Sequence, residues 1–145
     1  MMDLITDRTQ ADVERARALN AKGWDAMTDA ERAEWSAGLK GAYNCTDLNR
    51  VESAVAELAA QLGVAVEVKT DWTAADVPRN ADLERYLGNI RVLKEQTGGL
   101  PGTPSVPAGM DGLNWASANA IEQILLDLER LISTYFRCGT VFCGE

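Results

Sequence analysis

The residues best suited to chemistry gather around Trp72. Asp71 and Asp76 flank it, and Asp82 and Glu84 follow. Two carboxylates at a fixed separation can act as acid and base, as in glycoside hydrolysis, and sugar sites often hold an aromatic ring. Nothing in the spacing of these four fixes a separation. Acids at helix starts also stabilise the helix dipole, and that simpler role accounts for them. The chain has no histidine, so it lacks the usual base near neutral pH and the commonest metal ligand. Its three cysteines are Cys45, Cys138 and Cys143. A structural zinc site uses four Cys or His ligands in tight pairs, which this set does not supply. Cys138 and Cys143 could bridge a hairpin outside cells, but plain thiols explain them as well. No catalytic residue, metal or cofactor is expected.

Asn44-Cys45-Thr46 fits the N-x-Thr glycosylation pattern. That reading needs a secretory route, and MMDLITDRTQ shows no basic region followed by an apolar core. A reducing bacterial cytoplasm is therefore the expected site of synthesis. The same residues read as the start of a helix: Thr46 or Asp47 caps it, with an Asx-turn at Asn44 feeding the cap.

The elements that would position these residues follow from period and punctuation. Thr9 caps a helix that Gly23 ends, and Thr28 with Glu31 has capping-box spacing. Leu48, Val51, Val55, Leu58 and Leu62 step by threes and fours, which puts them on one stripe before Gly63. Residues 64–72 alternate valines with Ala65, Glu67 and Lys69, the period of a strand. Asn80 caps a further helix ended by Gly98-Gly99. Pro101, Pro104 and Pro107 then recur every third residue, the polyproline II period, in a stiff loop over 98–112. The last helix, 115–136, carries Ile121, Leu125, Leu128 and Ile132. The fold class is mainly α: a compact bundle of about five helices. One or two extended segments accompany it, with a small hairpin between 64–69 and the C-terminal tail as one arrangement.

The totals agree with one helical domain over 1–145. Of 145 residues, 46% are hydrophobic and 25% charged, ordinary globular values. No run is long and apolar enough to span a bilayer. The net charge of −8 disfavours nucleic-acid backbones and anionic membranes. Trp24 and Trp35, at helix ends, are expected in the core. Trp72 in its turn-rich stretch, and Tyr135, Phe136, Val141 and Phe142 near the C-terminus, are the candidate contact surface.

Four blocks carry a family likeness: DRTQADVERARALNAKGW (7–24), EWSAGLKGAYNCTDLNRVESAV (34–55), KTDW (69–72) and RYLGNIRVL (85–93). In this order, with the proline-rich loop, they resemble small tail- or baseplate-associated structural proteins of tailed phages and prophages of gut Firmicutes. Those relatives often end in a doubled Ser-Gly-Glu-like pattern, where this chain has Cys138-Gly139-Thr140 and Cys143-Gly144-Glu145. The resemblance implies a non-enzymatic protein incorporated in the virion. Its implied partners are protein, either copies of itself in a homo-oligomer or a larger tail protein. The alternative expectation is a small acidic inhibitor of a host defence protein that mimics nucleic acid. An enzyme acting on cell-wall sugar is the weakest reading.

Overall fold

A computed structural model of the chain describes residues 2–135, the side chain of Tyr135 excepted. Five α-helices make up the described fold: α1 (Gln10–Lys22), α2 (Asp29–Ala37), α3 (Cys45–Leu62), α4 (Asn80–Thr97) and α5 (Trp115–Tyr135). A 3-10 turn, Trp24–Ala26, links α1 to α2. The long helices α3, α4 and α5 pack pairwise into a three-helix core.

The stripe read from α3 is the core face. Val51, Val55 and Leu58 are buried against Leu87, Ile90 and Leu93 of α4 and Ile121, Leu125 and Leu128 of α5. Burying each such side chain contributes about 1.5–3 kcal/mol relative to leaving it exposed. The N-terminal pair is peripheral by comparison: α1 buries Ala16 and Leu19, and α2 buries none of its side chains.

Local chemistry sets the helix ends. Thr9 and Asp12 form a reciprocal capping box on α1. The Thr28 hydroxyl accepts from Glu31 N–H, but the Glu31 carboxylate takes the Thr28 hydroxyl, and Lys22, rather than the backbone. At α3 the cap is Asn44, two residues before the expected Thr46 and three before Asp47. Its Oδ1 accepts from Thr46 N–H, and Asp47 Oδ2 accepts from Asn44 N–H in return. Gly63 ends α3 in the left-handed region at φ 67, ψ 28, where only glycine avoids a Cβ penalty. At α4 the expected cap Asn80 is the first helical residue, and Asp82 accepts from Arg79 N–H.

Three extended segments wrap the core, and helix side chains hold their backbones. Residues 64–72 do alternate as expected: Val64, Val66 and Val68 lean on the core, while Ala65 and Glu67 face out. Yet they pair with no strand among the described residues. Asn49 brackets Trp72, accepting its N–H at 2.7 Å and donating to its carbonyl at 2.9 Å. Glu52 accepts from Lys69 N–H, and Arg85 and Asn89 donate to the Glu67 carbonyl. These side chains satisfy the groups that a strand partner would otherwise bond. The tail half of the expected hairpin lies outside the described residues.

The N-terminal segment runs antiparallel along α5 in the same manner. Met2, Ile5 and Arg8 donate their backbone N–H groups to Glu129, Glu122 and Asn119 respectively. The proline loop is tied down by Lys94 to the Pro104 carbonyl, Arg91 to the Pro107 carbonyl, and Thr103 to Asp127.

Candidate functional site

Three buried carboxylates, in two centres, organise the polar interior. Glu122 on α5 is fully buried, as are nearly all of Arg8 and Asp47. Glu122 Oε1 accepts from Arg8 Nη2 and Arg50 Nη2, each at 2.7 Å, and Oε2 accepts from Ile5 N–H at 2.6 Å and Arg50 Nε at 2.9 Å. Asp47 Oδ1 accepts from Arg8 and Arg50 as well. Two cations thus face two anions, with net charge zero. Burial works against the Arg50 charge, but the bonds to Glu122 and Asp47 outweigh it and hold the guanidinium above its ordinary value. The second centre is Glu52, which receives the Arg85 fork on both oxygens and the Trp72 indole N–H at 2.9 Å. A pair of acids receiving this many donors acts as a clamp between segments.

The tyrosines form a third buried contact. The hydroxyls of Tyr43 and Tyr86 hydrogen-bond each other. Burial pushes both phenols well above their usual range.

The acids around Trp72 are engaged locally. Asp71 pairs with Lys69, Asp76 accepts from Thr73 N–H and hydroxyl, and Asp82 caps α4. The backbone N–H of Thr73 is the main reason Asp76 is held below the ordinary carboxylate range. Trp72 itself is 7% exposed and sits in the core, with Lys69 against its ring. It was expected on a contact surface; its indole N–H finds its acceptor inside, at Glu52, so the ring is drawn in. Phe136, Val141, Phe142 and the Tyr135 side chain lie outside the described residues, as do Cys138 and Cys143.

Among the described residues, the exposed aromatic rings are three other tryptophans. Trp24 is 50% exposed, Trp35 37% and Trp115 38%. The first two were expected in the core. The reason is that α2 presents no buried face, so its tryptophan lies on the protein rather than in it. Arg32 stacks on Trp24 and donates to its carbonyl.

Trp35 and Trp115 line a cavity of about 450 Å³ between the N-terminal pair and the start of α5. One stripe of α1 forms a wall: Gln10, Val13, Arg17 and Asn20. The 40–43 loop forms another. Gly41 packs so closely on α1 that a Cβ there would lie 2.0 Å from the Asp12 carbonyl oxygen. Among the described residues, the lining includes Arg8, Arg17 and Lys40 but no carboxylate. Tyr43 and Leu113 also line a second cavity of about 530 Å³, walled by Leu48, Trp72, Leu83 and Met110. The two cavities adjoin at Tyr43 and Leu113, the first lined by cations and the second mostly by apolar side chains.

No group of three or more Cys, Asp or Glu residues converges to hold a metal ion among the described residues. None of their helices is long and apolar enough to cross a membrane. Comparison with protein-family models, curated proteins and solved structures finds no match.

Proposed function

We propose that this chain is a non-enzymatic structural or assembly protein of a phage particle, tail-associated, that works through protein–protein contacts. The observation that carries the contact reading is the pair Trp35 and Trp115, both more than a third exposed on the rim of one groove. Tryptophan is the residue type most enriched where binding energy concentrates, and leaving two such rings in water costs hydration free energy unless something covers them. The buried ionisable groups are closed upon one another, so their role is to fix the frame that presents this surface. The phage setting rests on the ordered sequence blocks at 7–24, 34–55, 69–72 and 85–93.

A nucleic-acid mimic would need carboxylates free to stand in for phosphates. Here Asp7, Glu31, Glu34 and Asp71 pair with Lys40, Lys22, Arg15 and Lys69, and Asp47, Glu52 and Glu122 are buried. These seven of the 22 acids are thereby withdrawn from such a role. The test is mass spectrometry of purified particles, with peptide counts scaled to the capsid protein. A fixed copy number is expected. Absence from particles, with abundance in infected cells, contradicts the virion role.

A further inference from the structure

We propose that the two adjoining cavities act as one groove that binds an acidic peptide segment of a partner protein, with carboxylates in the cationic half and an apolar side chain in the other. This rests on the contact reading and names the chemistry of the partner. The first argument is charge. The chain carries a net −8, yet the cavity framed by Trp35 and Trp115 is lined by Arg17 and Lys40, beside an Arg8 whose charge Asp47 and Glu122 already balance, and by no acid among the described residues. On a chain this acidic, such a surface is complementary to an anionic partner and repels cationic ones.

The second argument is that donors there remain available. Arg17 is exposed on the α1 stripe and forms no ion pair among the described residues. Lys40 is held only by Asp7, an exposed pair of the kind that contributes little and exchanges readily. Arg8 is 3% exposed and already held by Asp47 and Glu122, so the accessible donors are Arg17 and Lys40. The start of α5 lies on the same cavity with no acid in its first turn, and its cap is the neutral Asn114 side chain, whose Oδ1 accepts from Ser117 N–H.

The third argument is the adjoining apolar half. Across the ridge of Tyr43 and Leu113, the second cavity is lined by Leu48, Trp72, Leu83 and Met110. Its acid, Asp76, is already held by Thr73. An extended chain places successive side chains along such a groove. A segment with Asp or Glu beside an aromatic or aliphatic residue fits both halves.

The test pans a display library of random peptides against the folded chain. The expected winners carry Asp or Glu next to a large apolar residue. Their binding should fall with added salt and weaken about tenfold or more in Arg17→Glu. Arg17 is exposed, so this variant should fold normally, which thermal unfolding checks. Winners without acids, winners that bind Arg17→Glu equally well, or no enrichment overturn the proposal. Sedimentation of the chain alone supplies a further arm: self-association that Arg17→Glu abolishes makes the occupant a second copy and overturns a separate partner. Particle mass spectrometry reads independently, so an empty groove and an absent virion protein are distinguishable failures.

Discussion

Glu122 accepts the Arg8 guanidinium at 2.7 Å where neither side chain meets solvent, the glutamate being 0% exposed and the arginine 3%. The two lie 114 residues apart in sequence. Their contact locks the N-terminal segment and α5 to α3, because Asp47 and Arg50 complete the same network. Removing one member strands a buried charge. Glu122→Ala should therefore lower stability by about 3–5 kcal/mol, measured by urea unfolding. Arg8→Ala should be similarly costly. The double variant should cost less than the sum, since the second change no longer strands a charge.

Gly41 is required by a close approach rather than by its backbone angles. Gly41→Ala would place a Cβ 2.0 Å from the Asp12 carbonyl oxygen, so the 40–43 loop must move off α1. A loss of about 1–3 kcal/mol is expected. Trp35 borders the same cavity, so its fluorescence should shift with the loop. The same substitution at Gly88, which has nothing within 4 Å of the built Cβ, should be neutral or mildly stabilising through helix propensity.

Asn49 holds the extended connector through one residue. Its amide both accepts from and donates to the Trp72 backbone. Asn49→Ala should speed hydrogen exchange at Trp72 well before global unfolding and cost about 1–3 kcal/mol. Unchanged exchange would mean that Glu52 and packing suffice.

The tyrosine pair predicts an alkaline signature. Burial raises the folded-state pKa of Tyr43 and Tyr86 above the unfolded value near 10. The folded chain then keeps its protons where the unfolded chain releases them. Their stabilisation is complete below pH 10 and declines as pH rises toward the folded values. Of the three tyrosines, these two should give no phenolate absorbance near pH 11 until the chain unfolds. Tyr43→Phe should reduce the delayed signal by one residue.

Much of this architecture is legible in the residues themselves. The α3 stripe, Thr9 and Gly63 read correctly because stripe, cap and stop are local rules. The valine alternation at 64–68 marked an extended segment, but a strand period cannot say whether the backbone partner is another strand or side chains such as Asn49 and Asn89. The polar centres were hidden for a related reason. Glu52 lies off the apolar stripe of its helix, where a glutamate ordinarily faces water. It is buried because Arg85, Lys69 and Trp72 arrive from remote positions. Trp24 and Trp35 were misplaced because hydrophobicity argues for burial without saying which helix has a face to bury. The cavity under Trp35 and Trp115 joins Arg17 and Lys40 with the start of α5, a set that only the fold assembles.

The most direct measurement is incorporation of a Trp35→Ser/Trp115→Ser variant into particles. The variant is first checked for wild-type helical signal and unfolding temperature, and its copies per particle are then counted by mass spectrometry against the capsid protein. The contact account predicts a folded protein that is largely lost from particles. A folded variant present at the wild-type copy number would contradict it.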